Sequence, residues 1–151
     1  MVRKVNLSRS QPEYSPLHRF NFLHPEKIQS AIDRYKNEAK RILGVLDGAL
    51  ANKRWLVGDK MTFADLAFLP YNHVLDQMWG TPGQNPVDEF PNVKAWHERM
   101  SSRPAFRKVL LVRQKYMEEQ GIMPGKGLPE GQTFQDALAA IDAEKKRQQQ
   151  A

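Results

Sequence analysis

The segment KMTFADLAFLP, Lys60 to Pro70, places Thr62 and Asp65 immediately ahead of an almost unbroken apolar run. A hydroxyl and a carboxylate are costly to bury unpaired. Both are satisfied if Thr62 caps a helix. Its hydroxyl then accepts the backbone N–H three residues on, and the Asp65 carboxylate reaches back to the N–H of Thr62 and meets the positive end of the helix dipole. Met61 and Leu66 stand at the hydrophobic-staple positions. The helix so started, over 63–79, carries Phe63, Leu66, Ala67, Phe68, Leu69, Tyr71, Val74, Leu75 and Met78 on nearly every side. That predicts a central helix with neighbours all round, kinked at Pro70, which removes the bond to the carbonyl of Leu66.

One neighbour is legible upstream. Between Pro25 and Ala51 the apolar positions Ile28, Ile32, Tyr35, Ala39, Ile42, Leu46 and Leu50 recur at steps of four and three, the one-face spacing of a long amphipathic helix. Pro25 suits its first turn, where a missing N–H has no intrahelical partner anyway. The linker NKRWLVGDK carries the turn signal Gly58-Asp59, with Trp55 and Leu56 as apolar pegs. Downstream, residues 80–86 read as loop, FPNVKAWHERMSSRP as a helix stopped near Ser102 by Pro104, and PAFRKVLLVRQKYMEE as the next helix. With no alternating strand pattern and no internal repeat, the fold class is all-α, a helical bundle with a kinked buried central helix.

At Gly121 the composition changes. Three segments follow from this: a helical domain over 1–120, a Gly/Pro linker over 121–132, and an amphipathic helix or tail over 133–151. The tail opens with a second capping box, Thr133 with Asp136, and carries Phe134, Leu138 and Ile141 at helical spacing.

Charge and composition limit the functions open to this chain. Its 23 Lys and Arg against 17 Asp and Glu give a formal charge of +6. The basic residues are interspersed with acids and only Lys145-Lys146-Arg147 forms a run, which reads as solvated helix faces and not as a nucleic-acid surface. The absence of cysteine excludes disulfides, thiolate metal sites and cysteine nucleophiles. No apolar run reaches the length of a membrane span and no secretory signal is evident, so the expected location is the cytoplasm.

Catalytic groups are sparse. His18, His24, His73 and His97 do not pair at ligand spacing, and the HERM stretch at 97–100 lacks the second histidine of a zincin helix, so no metal site is expected. His73, on the buried helix, reads as a hydrogen-bonded core residue. No nucleophile elbow and no phosphate-binding glycine pattern is present. Aromatic density is concentrated near the start, where Tyr14, Phe20 and Phe22 lie beside His18, Arg19 and His24. Either they pack on the next helix or they line a ligand wall.

FLHPEKIQSAIDRYKNEAKRILGVLDGAL, RWLVGDKMTFADLAFLPYNHV and EFPNVKAWHERMSSRPA resemble, in order and spacing, the C-terminal helical domain of glutathione S-transferases, nearest to the fungal Ure2-type and bacterial Nu-class-like members. The likeness covers residues 10 to 115, and T-x-A-D, here Thr62, Ala64 and Asp65, corresponds to the buried capping box of that domain's central helix. Such transferases also have a thioredoxin-like domain that binds glutathione and supplies the residue activating its sulfur. Met1 falls about where the helical half begins, so no residue here is expected to take that catalytic role.

The resemblance implies that Tyr14, Phe20, Phe22, His24, Tyr71 and Trp79 contribute to the hydrophobic co-substrate site. It also implies that Arg34, in the R-Y pair of the long helix, approaches a glutathione carboxylate, for which a guanidinium is well suited. The alternative for Arg34 is a surface ion pair. Glutathione is then the co-substrate and no metal is implied. The implied partners are a hydrophobic small molecule and either a second copy or a thioredoxin-like domain, with no nucleic acid or membrane. Two other readings remain: a non-catalytic interaction or regulatory module, and a glutathione-independent isomerase or cyclase using His24 or His73.

Overall fold

The computed structural model describes residues 16–120 and 133–150. The 121–132 linker and Tyr14 lie outside them. The described residues are helical with no strand, and the chain divides between Glu98 and Arg99 into two compact units.

The first unit begins with helical residues 16–18, which run into a π-helical turn, Arg19–Leu23. The turn stops at His24, which is extended (φ −78°, ψ 133°), because the residue before a proline is disfavoured in the α region. Pro25 does not open the long helix as its sequence position suggests, because residues 25 and 26 form a bend and the helix starts four residues on. That helix, α1, is Gln29–Leu50, preceded by Ile28 without a side-chain cap. It buries Ile32, Ala39, Ile42, Leu43, Leu46 and Leu50, the stripe anticipated from periodicity with Leu43 added, while Ile28 is exposed and Tyr35 half-buried.

Helix α2 is Phe63–His73 and α3 is Leu75–Trp79. The discontinuity falls at Val74 (φ −104°, ψ 3°), whose N–H turns to the carbonyls of Tyr71 and Asn72. The expected kink at Pro70 is therefore displaced: Pro70 is accommodated inside α2, and the helix breaks one turn later. Nor is α2 enclosed on all sides. Asp65, Phe68, Leu69 and Asn72 face inward, whereas Phe63 and Leu66 are 78% and 46% exposed and Pro70 is exposed with them. Positions 63, 66 and 70 share one helical face, so the apolar surplus read from the sequence is an uncovered stripe.

Asp65 is fully buried. Its Oδ2 accepts the Thr62 N–H (2.8 Å) and the Thr62 hydroxyl (3.1 Å), closing the capping box inferred from the sequence. Its Oδ1 accepts the Leu56 N–H and the Trp96 indole Nε1–H, both at 2.9 Å. One carboxylate thus ties the 51–62 loop, α2 and helix α4, Pro91–Ser101, to a single point. Trp96 also packs edge-on against Phe68, with ring centroids 6.1 Å apart. The start of α4 is capped from a distance: Asp47 of α1 accepts the N–H groups of Asn92 (2.8 Å) and Val93 (3.1 Å) through Oδ1, and the Asn92 amide donates back to Oδ2 (3.0 Å). A 3-10 turn, Pro86–Glu89, leads into α4 and carries Glu89, which pairs with Lys40 of α1 at 2.7 Å.

The second unit contains α5, Pro104–Glu119, and α6, Phe134–Gln150. Pro104 occupies the first turn of α5, as a residue without an N–H should. Thr133 and Asp136 form the second capping box, with Asp136 N–H to Thr133 Oγ1 at 3.2 Å and Thr133 N–H to Asp136 Oδ2 at 3.1 Å. Ala137 and Ile141 are the buried positions of α6, with Phe134 and Leu138 half-buried beside them. The helices are laced by Arg107–Glu144 and Lys108–Asp142 ion pairs.

Replacing Asp65 by alanine leaves the Leu56 N–H, the Thr62 N–H and the Trp96 indole without their acceptor. The expected loss is about 3–5 kcal/mol. Trp96→Phe should cost about 1–3 kcal/mol, and the double variant should lose clearly less than the sum, because the two changes delete one shared bond. Urea unfolding followed by circular dichroism measures all three.

Candidate functional site

The aromatic residues near the start are organised by the π-helical turn. Across it, side chains four residues apart meet: His18 with Phe22 and Phe20 with His24, each pair with ring centroids 5.4 Å apart. Phe20 also stacks on Tyr35 of α1, with centroids at 5.7 Å and planes 14° apart. Phe20 is thus held between His24 and Tyr35, while Phe22 is 48% exposed. His24 Nδ1 lies 2.7 Å from the Glu26 carbonyl oxygen and 3.2 Å from the Glu26 backbone nitrogen, so the ring is held against the Glu26 backbone. Tyr35 was legible from the sequence only as one position of a core stripe. Its stacking on Phe20 depends on the turn preceding α1, which no periodicity announces.

A latch fixes the turn to the end of α3. Asn21 Nδ2 donates to the Met78 carbonyl at 2.8 Å. Two residues on, Gly80 adopts a left-handed conformation (φ 73°) that closes α3, and a Cβ added there would fall 3.0 Å from Asn21 Cγ and Oδ1. Only glycine fits both the backbone and the approach.

The remaining residues expected at the site fall in different places. Trp79 is 5% exposed and lies under the ammonium groups of Lys36 (5.2 Å to the ring centroid) and Lys40 (5.9 Å). It is a core residue at the end of α3. Tyr71 is half-buried on α2. Arg34 is exposed on α1, next to Tyr35, and takes no part in the ion pairs of the described residues. Thr62 and Asp65 are structural, as described above.

A second polar cluster was not foreseen as a pair. His73 at the end of α2 and His97 on α4 stack with centroids 6.2 Å apart and planes 29° apart. His97 Nδ1 is buried without a hydrogen-bond partner among the described residues, as are both amide atoms of Asn72. Burial and the neighbouring His73 push the His97 pKa down to about 4, against a small upward pull from Asp76. His97 is consequently neutral at pH 7. Among the described residues no group of three or more His, Asp or Glu side chains is arranged to hold a metal ion, and no helix is long and apolar enough to cross a membrane.

The first unit is all-helical among its described residues, with its second helix anchored by a buried capping carboxylate. Residues 11–104 match the family described as the glutathione S-transferase C-terminal domain, and the chain belongs to that family. It is 36% identical to glutathione S-transferase 2 of Schizosaccharomyces pombe over 132 residues, covering 70% of this chain and 57% of that protein. It is 37% identical to the transcriptional regulator URE2 of Saccharomyces cerevisiae over 123 residues, covering 60% and 34%. Among solved structures it resembles Ure2p in complex with glutathione (42% identity, TM-score 0.57, 64% of this chain and 46% of that one). It also resembles the glutathione transferase URE2P8 of Phanerochaete chrysosporium with oxidized glutathione (38%, TM-score 0.67, 74% and 50%). The chain thus spans about half or less of most of these relatives.

Two outcomes follow from the geometry. Gly80→Ala should cost about 2–3 kcal/mol through left-handed strain and loss of the Asn21 bond, and nuclear magnetic resonance should show shifts at the Phe20 and Phe22 rings. Separately, because the His97 pKa is lower folded than unfolded, the unfolded chain binds the extra proton between pH 6.5 and about 4. Stability is therefore complete above pH 6.5 and lost as pH falls through that window, by roughly 3 kcal/mol. His97→Gln should flatten this part of a thermal-melting profile against pH.

Proposed function

We propose that the first unit forms the hydrophobic co-substrate half of a glutathione-dependent transferase site, used for conjugation or thiol chemistry, with the glutathione-binding half supplied by a thioredoxin-like domain. The observation that carries this reading is the aromatic turn. Phe20, Phe22 and His24 are pre-positioned by the Asn21 latch and the Tyr35 stack, so an apolar electrophile meets a wall that is already ordered, at little entropic cost. In this reading Tyr71 of α2 adds a further aromatic side chain to the same half of the site. Arg34 stands beside Tyr35 with its guanidinium uncommitted among the described residues, suited to a glutathione carboxylate of a neighbouring subunit. The glutathione complexes of Ure2p and URE2P8 support the choice of co-substrate.

The uncovered stripe of Phe63, Leu66 and Pro70 favours a second reading, a regulatory module that uses this face to bind another protein or a second copy. Contiguous apolar surface of this kind usually marks an interaction site, and similarity to a transcriptional regulator is in keeping with it. Sedimentation separates the cases. A second copy on the stripe gives concentration-dependent mass that Leu66→Glu abolishes, and a strictly monomeric chain removes the homodimer.

Calorimetric titration of the 151-residue chain with glutathione tests the principal reading. The expected result is no saturable binding and a conjugation rate with an aryl halide no faster than background. A neutral aromatic ligand should still bind, and Phe20→Ala should weaken it about tenfold. Saturable glutathione binding would overturn the division into two halves and make Arg34 the first residue to replace.

A further inference from the structure

Two contiguous cavities lie within the second unit. The first, about 350 Å³, runs between α5 and α6 and is lined by Pro104, Val109, Val112 and Ile141 together with the Lys108–Asp142 ion pair. The other, also about 350 Å³, is bordered by Ser102, Arg103 and Gln148. Pro104, Ala105 and Lys145 line both, so the apolar slot opens directly into the polar one.

The charges around these cavities are unequal in what they have left to offer. Lys108 is held by both oxygens of Asp142, at 3.1 and 3.0 Å, and Arg107 by Glu144, so each of these cations is neutralised where it stands. Arg103 and Lys145 belong to no ion pair of the described residues. Both are exposed and both border the polar cavity. Arg103 is also the cap residue of α5, a helix of 16 residues that starts without a side-chain cap, so the positive end of its dipole adds to the same field. Lys145 opens the basic run Lys145-Lys146-Arg147, a feature that the transferase reading leaves without a role.

We infer that these cavities form a binding site for a single-chain anionic amphiphile of the fatty-acid class, with its hydrocarbon tail between α5 and α6 along Val109, Val112 and Ile141 and its carboxylate between Arg103 and Lys145. The tail is favoured because each methylene removed from water contributes about 0.8 kcal/mol. The head is favoured because the cations lie at one end of the slot, where a planar guanidinium accommodates a carboxylate. A protein partner fits less well, since a stable interface needs on the order of 800 Å² from each side, far more than a slot of this size presents. The site is built entirely from residues of the second unit and does not rest on the transferase reading.

The test is calorimetric titration of the whole chain with dodecanoate below its micellar concentration, and with dodecyltrimethylammonium, which has the same tail and the opposite charge. The expected result is one-to-one saturable binding of dodecanoate, with the cationic amphiphile about tenfold weaker or worse. The double change Arg103→Glu and Lys145→Glu should remove that preference, and Val109→Asp should weaken dodecanoate about tenfold or more. All three positions are exposed, so circular dichroism should show unchanged helix content. Phe20→Ala should leave dodecanoate binding untouched. Equal binding of the two amphiphiles, indifference to the charge reversal, loss of binding in Phe20→Ala, or association only with anionic vesicles would each overturn the proposal.

Discussion

The buried Asp65 carboxylate is the interaction on which the first unit depends. A desolvated charge persists in a core only when its lone pairs are occupied, and here four donors from three segments converge on it. Two come from Thr62, within its own helix start. The other two, from Leu56 and Trp96, are tertiary, and they make the capping box into a joint. The loop after α1 and the inward face of α4 are located by the same two oxygens that begin α2. Asp47 repeats this economy in milder form, capping α4 from the middle of α1.

From that joint the geometry extends to the aromatic turn. α2 and α3 carry the chain to Gly80, and the Met78 carbonyl receives the Asn21 amide that pins Arg19–Leu23. The turn offers Phe20 and Phe22 on a π-helical backbone, an irregularity that often accompanies functional positions. It is held in place by the His24 and Tyr35 contacts to Phe20 and by the Asn21 bond to Met78. On the proposed co-substrate reading this order matters, because wall residues that are already ordered lose little entropy when a ligand arrives.

The second unit is built on different physics. α5 and α6 bury few large side chains, and Ala137 and Ile141 are the buried positions of α6. Cross-helix ion pairs and the Lys115 ammonium over Phe134, 4.7 Å from the ring centroid, supplement that small core. Exposed ion pairs are individually weak, so register here comes from several acting together. The same pairing determines which cations are cancelled and which remain available at the rim of the slot.

Local signals in the sequence determined the helices themselves. The four-and-three spacing of α1, the Thr62–Asp65 and Thr133–Asp136 boxes and the proline that opens α5 are written in residues within one or two turns of each other, and short-range sterics and capping bonds decide such features. The family resemblance rested on those motifs in order. What the sequence could not determine was which surplus apolar residues would be covered. α2 reads as apolar all round, yet Phe63, Leu66 and Pro70 are left in the open, because burial depends on which elements happen to pack there. The break moved from Pro70 to Val74 and the start of α1 from Pro25 to Gln29 for reasons of neighbouring backbone. The Trp96 bond to Asp65, the Tyr35 stack on Phe20 and the meeting of His73 with His97 join residues 15 to 31 positions apart. Only the packing of whole helices brings such pairs within hydrogen-bonding or van der Waals distance, and so only the tertiary structure decided them.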